Sequence, residues 1–203
     1  MCAQTLATAG TAIDTACPAA SRDGLDRRGR PSFSTLVADH GDAIYRYCWH
    51  LTRNQADADD LYQETLLKAY KAHGKLDGDA NHRAWLYKIA SNTFISDRRK
   101  LGRESGLTET MEATVAAPMV DHADGLDARD LLRDVECSVL ALPTKQRLAL
   151  IMRKYHDFSY TDIAVSLDTT EVAARANVHA ALKKLRGQYA DRLDPHPSVG
   201  TGL

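Results

Sequence analysis

The sequence predicts an all-α protein built from two helical domains that are joined by a flexible acidic linker. Apolar residues recur at the spacing of amphipathic helices, and the alternation of apolar and polar residues that marks a strand is nearly absent. Charge is segregated: residues 81–103 carry six Lys or Arg against one Asp, residues 104–136 carry nine acids against two Arg, and residues 145–192 carry nine basic residues against five acids. Two basic blocks around an acidic segment suggest two modules that meet a polyanion, although solvated helix faces would give the same pattern.

The N-terminal domain is expected to follow a leader, residues 1–31. The Ala, Thr, Gly and Pro content of this leader is typical of disorder, and it lacks the basic start and apolar core of a secretory signal. The first helix is predicted from Ser34 to about Thr52. Its apolar stripe comprises Leu36, Val37, Ile44, Tyr45, Cys48 and Leu51.

The second helix is predicted in "DADDLYQETLLKAYKAHG", because acids suit a helix N-terminus, and it is expected to end near Gly74. One face is polar and carries Asp60, Gln63, Glu64 and Lys68, opposite the apolar Leu66 and Tyr70. A polar face of this kind is most often simply solvated, so the pattern alone is a weak sign of a docking surface.

The third helix is predicted in "HRAWLYKIASNTFISDRRK", after the loop "KLDGDAN". On a helical wheel one side carries Trp85, Leu86, Ile89 and Thr93, and another carries Lys88, Asn92 and Arg99. Trp85 is therefore expected to anchor the core. The side with Asn92, together with the basic residues beyond it, is where we expect nucleic acid.

The polar, acidic residues 104–129 are typical of a linker, and the C-terminal domain is expected over 130–193, before a loose tail at 194–203. An amphipathic helix is predicted within "LPTKQRLALIMRKYHDF", with Pro143 near its start. Its expected buried stripe is Leu148, Ile151 and Met152, and Tyr155 is also expected in the core.

The stretch "FSYTDIAVSLDTTEVAARANVHAALKKLR" at 158–186 has the layout of a helix-turn-helix. Ser159 or Thr161 would cap the first helix, and Asp168 would occupy the turn, where Asp tolerates a left-handed backbone. The second helix would place base-reading side chains in the major groove and basic ones on phosphates; the candidates are Thr170, Glu171, Arg175, Asn177 and His179 for bases and Lys183 for phosphate. An ordinary helical hairpin remains the alternative.

Other chemistry finds little support in the sequence. Cys2, Cys17, Cys48 and Cys137 are far apart and form no C-x-x-C pair, so neither zinc nor a disulfide framework is expected, and redox sensing is the minor alternative. The chain shows no nucleophile–base set, metal-ligand cluster or Gly-rich phosphate loop. We therefore expect no metal, no cofactor and no enzymatic activity. No apolar run is long enough to span a membrane, and a cytoplasmic location is expected.

Three stretches carry a family resemblance. "DADDLYQETLLKAYK", "AWLYKIASNTFISDRRK" and "LPTKQRLALIMRKYHDFSYTDIAVSL", in this order and spacing, resemble bacterial extracytoplasmic-function sigma factors, group 4 of the sigma-70 family. The resemblance implies a sigma-2 domain at 32–103 and a sigma-4 domain at 130–193. It also implies the partners of the family: core RNA polymerase through its beta-prime clamp and beta flap, promoter DNA and an anti-sigma factor released under stress.

The same resemblance implies roles for particular residues. Asp60, Gln63 and Glu64 would dock on the polymerase clamp. The loop from Leu76 to Ala80 and the following helix would capture flipped bases of the −10 element, with Asn92 where relatives carry a base-contacting Asn. The other residues implied in −10 binding are Lys88, Arg98, Arg99 and Lys100. The helix-turn-helix would read the −35 element.

Two other classes of function remain open at the level of sequence. A stand-alone helix-turn-helix regulator would use the N-terminal module for a different partner and would bind its operator without polymerase. An enzyme would need a catalytic constellation, which the chain does not show; His40, His50, His73 and His82 are scattered and are expected on the surface or in helix packing.

Overall fold

The computed structural model describes residues 30–77, 80–104 and 128–193, and over these residues the chain forms helices and no strand. The helices are α1 (Phe33–Thr52), α2 (Gln55–His73), α3 (His82–Glu104), α4 (Ala128–Leu140), α5 (Thr144–Tyr155), α6 (Tyr160–Leu167) and α7 (Glu171–Leu193). The prediction of an all-α fold is confirmed. The predicted leader, linker and tail lie outside the described residues except at their edges.

The first three helices form the N-terminal bundle. Ser32 caps the start of α1, because its Oγ accepts a hydrogen bond from the backbone N–H of Thr35. Asn54 caps the start of α2 in the same way, with its side chain accepting from the backbone N–H of Asp57. Arg53, between the two helices, has φ 53°. Gly41 packs closely against α2: a Cβ there would lie 3.0 Å from the hydroxyl of Tyr62, so that side chain would have to shift by a few tenths of an ångström.

Two aromatic residues of the bundle differ from the sequence-based expectation. Tyr47 is fully buried, whereas Tyr45 is half-buried at the edge, with its ring 5.5 Å from that of Tyr62. Trp85 is also only half-buried and packs against the edge of the core, whereas Tyr87 is the fully buried aromatic of α3. Both α2 of the N-terminal bundle and α6 of the C-terminal domain pack against α3. Its buried residues therefore do not form a single stripe on a helical wheel.

The C-terminal domain contains the predicted helix-turn-helix. Ser159 Oγ accepts from the N–H of Asp162 to start α6, and Asp168 ends it with φ 52° and its N–H bonded to Ala164 O. Ile163 and Val178 are buried where α6 and α7 cross. Pro143 directly precedes α5, as expected.

Two features of this domain were not anticipated. The helix α4 lies in a stretch for which the sequence suggested only the start of a module. Tyr155 is 49% exposed, with its ring 4.3 Å from that of His50, so the expectation that it lies in the core is wrong. Tyr155 is the last residue of α5 and lies at the surface.

The two domains pack against each other and share one continuous apolar core. α6 lies along the start of α3, and α5 contacts α1. At the centre of this contact Phe158, 2% exposed, places its ring 4.5 Å from that of Tyr87, and the guanidinium of Arg83 lies 4.3 Å from the Phe158 centroid. Within the part of the chain that the structure describes, no helix is long and apolar enough to cross a bilayer.

Replacing Phe158 by Ala is expected to lower the free energy of unfolding by about 3–5 kcal/mol, because it empties a fully packed aromatic site. Urea denaturation followed by circular dichroism measures this. Tyr155→Ala is the matched control, since its half-exposed ring should cost less than half as much. Equal losses in the two variants would contradict the placement of Phe158 at the core of the contact.

Candidate polymerase and promoter interfaces

The predicted docking face on α2 is exposed. Asp60 and Gln63 are exposed, and Glu64 forms an ion pair with Lys68 one turn along the helix at 2.7 Å. Lys68 Nζ also donates to Thr93 Oγ1 at 3.2 Å, which ties this face to α3. Among the residues that the structure describes, no side chain bonds the carboxylate of Asp60, and Glu64 is held in place beside it.

The same face carries two apolar side chains that the sequence did not single out. Leu67 is 53% exposed, and Tyr70, which helical periodicity predicts on the opposite apolar side, is 65% exposed. The ring of Tyr70 packs edge-on against Phe33 at 5.2 Å, which fixes its direction. The spacing of residues 63, 67 and 70 already placed them on one face, and exposed apolar residues between acids are typical of an interface.

On α3, the side expected to bind DNA is exposed beyond its second turn. Asn92 is exposed, and its carbonyl accepts from Ser96 Oγ at 2.8 Å. Arg98, Arg99 and Lys100 are exposed as well and continue the basic track. Arg98 also lies 5.9 Å from the Phe94 centroid.

Two of the implied −10 residues are engaged within the molecule. Leu76 is 8% exposed, and its carbonyl accepts from Arg30 Nη1 at 3.2 Å, so its side chain is packed in this conformation. Lys88 Nζ forms an ion pair at 3.1 Å with Asp168 Oδ1, in the turn of the other domain.

The exposed face of α7 holds most of the implied −35 residues. Thr170 Oγ1 accepts from the N–H of Ala173, so Thr170 caps the helix. Glu171 accepts from Thr161 Oγ1 at 3.1 Å and pairs with Arg175 at 2.8 Å, and Arg175 also lies over the Tyr160 ring at 5.0 Å. His179 and Lys183 are exposed, and Asn177 is half-buried. The strongest base-reading candidate, Arg175, is thus oriented by two neighbours, Glu171 and Tyr160.

The contact between the domains buries ionisable groups that the sequence did not identify. The Tyr87 hydroxyl lies 2.8 Å from His156 Nδ1, and Arg83 donates to the carbonyl of His156. Burial, with Arg83 and Arg46 opposing it, raises the pKa of Tyr87 to about 12. Burial, aided by His50, Arg83 and Arg46, lowers the pKa of His156 to about 4. His156 is therefore neutral at pH 7.

Arg147 is the second such group. It is 2% exposed, lies 4.8 Å from the Phe94 centroid and donates to Leu140 O at 2.9 Å. Burial, with Arg98 nearby, lowers its pKa to about 10. In the sequence, the only sign that Arg147 is buried is its position within the apolar stretch predicted to form α5.

The thiols offer no metal site in the region described. Cys48 is buried, and burial raises the pKa of its thiol to about 12, which leaves it unreactive. Cys137 is exposed. The described residues contain no cluster of three or more His, Cys, Asp or Glu that could hold a metal ion.

Comparison with known families accounts for both domains. Residues 36–104 match the family Sigma-70 region 2, and residues 132–185 match Sigma-70, region 4. The ECF RNA polymerase sigma factor SigL of Mycobacterium tuberculosis is 31% identical over 154 residues, which cover 74% of this chain and 85% of SigL. This chain is an ECF sigma factor.

Two further similar proteins are also ECF RNA polymerase sigma factors. The ECF RNA polymerase sigma factor SigW of Bacillus subtilis is 27% identical over 168 residues, covering 79% of this sigma factor and 90% of SigW. SigE of Mycolicibacterium smegmatis is 28% identical over 167 residues, covering 81% of this chain and 64%, less than two thirds, of SigE.

Two solved structures share the arrangement. The sigma factor RpoE of Bartonella quintana, in complex with the anti-sigma factor NepR, matches with a TM-score of 0.61 and 27% identity over 78% of this chain and 96% of RpoE. CnrH in complex with the cytosolic domain of CnrY matches with a TM-score of 0.57 and 25% identity, over 78% of this chain and 87% of CnrH.

The buried His156 makes stability dependent on pH. Because its pKa is near 4 in the folded chain and near 6.5 when unfolded, the unfolded chain binds the extra proton first as pH falls. The free energy of unfolding is therefore expected to fall as pH drops from about 6.5 to about 4. Denaturant titrations at several pH values measure this slope. His156→Asn, which keeps a polar group near Nδ1, should flatten it; an unchanged slope would contradict the assignment.

Proposed function

We propose that this sigma factor, a group 4 member, binds core RNA polymerase and directs promoter-specific transcription initiation by reading −10 and −35 elements, without catalysis of its own. The observation that carries the proposal is that one chain contains both Sigma-70 region 2 and Sigma-70 region 4, in that order, and matches an ECF sigma factor over most of its length. Because its partner is the polymerase, the protein acts in the cytoplasm. The sigma factor RpoE, of similar structure, is bound to an anti-sigma factor, which supports an anti-sigma partner here.

The α2 face supports the role of polymerase docking. Its exposed carboxylates and its two exposed apolar side chains, Leu67 and Tyr70, combine a charged rim with an apolar contact, the composition of a protein–protein interface. We assign the clamp-binding role to Asp60, Gln63 and Glu64, with Leu67 and Tyr70 beside them.

The second half of α3 supports binding of melted −10 DNA. Single-stranded bases are held by pockets and stacking on a positively charged track. Asn92 provides an exposed amide on this helix, and the basic residues that follow it, Arg98, Arg99 and Lys100, provide the track. The loop at 76–80, of which residues 78 and 79 lie outside the described residues, is assigned to the same element, with Leu76 available only after a local rearrangement.

The helix α7 supports −35 recognition by its N-terminal half. Arg175 is the strongest candidate for a guanine, and Glu171, its ion-pair partner, would either orient it or accept from cytosine. Thr170, Asn177 and His179 lie around this pair, and Lys183 reaches phosphate. The domains need only modest affinity each, because polymerase tethers both to one promoter and raises their effective concentration.

In vitro transcription with purified core polymerase and a promoter library tests the proposal. The full chain is expected to add promoter-specific initiation that core polymerase alone lacks. A protein that footprints DNA without polymerase, and that adds no initiation with it, would be a helix-turn-helix regulator instead.

Replacing Asp60 and Glu64 together by Lys is expected to abolish association with core polymerase, because two attractive charges become repulsive at the docking face. Co-purification on immobilised core polymerase measures the loss. The matched control is Asp39→Lys with Asp42→Lys, an equal charge change on the exposed side of α1. Normal retention of the α2 variant would refute the docking assignment.

Replacing Asn92 by Ala is expected to reduce open-complex formation by roughly tenfold, since a lost base contact costs about 1–3 kcal/mol. Permanganate footprinting of the −10 region measures melting, and core binding should be unchanged. Ser96→Ala, one turn further along α3, serves as the control. Full melting by the Asn92 variant on linear DNA would remove its role in base reading.

A further inference from the structure

Arg30, which precedes α1, holds the backbone that follows α2. Its Nη1 donates to three main-chain carbonyls, those of His73 at 3.0 Å, Gly74 at 2.7 Å and Leu76 at 3.2 Å. The side chain is only 9% exposed, so peptide carbonyls take the place of water around this cation. One guanidinium therefore joins the entry to α1 with the beginning of the loop at 76–80.

The end of α2 is built differently from the ends of α1 and α6. Those two helices end at residues with a left-handed backbone, Arg53 with φ 53° and Asp168 with φ 52°. Gly74, which follows α2, has φ −60° and ψ −17°, so no left-handed cap turns the chain away from the helix. The last carbonyls of a helix lack partners within it, and a cation beside them is favourable. Arg30 supplies that cation and directs the chain as it leaves α2.

Residues 30–33 form a strap that also contacts the docking face of α2. The Pro31 carbonyl accepts from His73 Nε2 at 2.9 Å. The ring of Phe33 packs edge-on against two rings of α2, 5.2 Å from that of Tyr70 and 5.8 Å from that of His73. The strap therefore connects the face assigned to polymerase docking with the loop assigned to −10 DNA through side chains that touch one another.

The far end of the loop is held by other groups. The backbone N–H of Ala80 donates to Asp77 O at 3.2 Å, and Asn81 caps α3 with its Oδ1. Arg30 therefore acts on the near end alone. Because its three bonds go to main-chain carbonyls, the side chain of Leu76 can change rotamer to meet a base while the backbone stays in place.

We propose that Arg30 is a positioning residue for −10 recognition: it fixes the backbone of residues 74–76 relative to the docking face, so that the loop meets the melted strand in one orientation. It contacts no base itself. This inference rests on the proposed function, because it takes the loop and α3 as the elements that read −10 DNA. A residue that only stabilised the fold would lower every activity together, whereas a positioning residue changes the discrimination among −10 sequences.

Arg30→Met tests the proposal, because it removes the donors and keeps an unbranched side chain in the buried site. The measurement is open-complex formation by the holoenzyme on a promoter selected from a library and on the same promoter with single −10 bases changed. The ratio between the two should fall by roughly fivefold, the lower end of what one base contact contributes. Core binding and the discrimination among −35 variants should keep their wild-type values.

Arg153→Met is the matched control. Arg153 Nη1 also donates to a main-chain carbonyl beyond a helix end, that of Phe158 at 2.8 Å after α5. The same substitution there removes a comparable bond far from the loop, and it should leave the −10 ratio unchanged. Arg30→Lys, which keeps the charge and can still donate to a carbonyl, should retain most of the ratio.

A second readout reports on the backbone directly in the free full-length protein. The N–H groups of Lys75 and Leu76 donate to carbonyls in the last turn of α2, both at 3.0 Å. Their amide hydrogen exchange should speed by roughly tenfold in Arg30→Met, the scale of one lost hydrogen bond to a charged group, and should be unchanged in Arg153→Met. Should Arg30→Met fail to fold, Arg30→Gln decides the question by the same ratio and the same exchange measurement.

The outcomes separate this inference from the proposed function. A wild-type −10 ratio in the Arg30 variant, or an equal loss of activity on every promoter, would overturn the positioning role. If the wild-type holoenzyme initiates from the selected promoter, that result rejects the positioning role alone. If it does not initiate, the proposed function fails, and this inference fails with it.

Discussion

The side chain of Tyr87 joins the two halves of the molecule, and the rest of the structure is arranged around it. Its ring lies 4.7 Å from that of Tyr47 in the N-terminal bundle and 4.5 Å from that of Phe158 in the C-terminal domain. Its hydroxyl reaches His156 Nδ1. One residue of α3 is therefore core for both domains.

Much of the fold could be predicted from the sequence because it depends on local chemistry. The caps of α6 are short-range features: Ser159, one of the two residues expected to cap its start, does so, and Asp168 lies in the turn as expected. The exposed positions of Asp60 and Asn92 follow from helical periodicity within one element. Such features can be predicted without knowing which other helices pack against the element.

The remaining features arise from contact between the domains, which periodicity does not describe. A helix covered on two sides has no single apolar stripe, so the wheel of α3 favoured Trp85 over Tyr87. In the same way, Arg147 and His156 are polar residue types whose burial is decided by a partner surface distant in sequence. The exposure of Tyr70 was missed for the opposite reason, since an aromatic in an amphipathic helix is more often core than surface.

The left-handed backbone at Asp168 has an evolutionary consequence. Gly and Asn are the residues that tolerate this conformation best, and either is reached from an Asp codon by a single nucleotide change. Both replacements would keep the turn and remove the carboxylate that holds Lys88. The ion pair between the two domains can thus be lost in one genetic step, without disturbing the helices on either side.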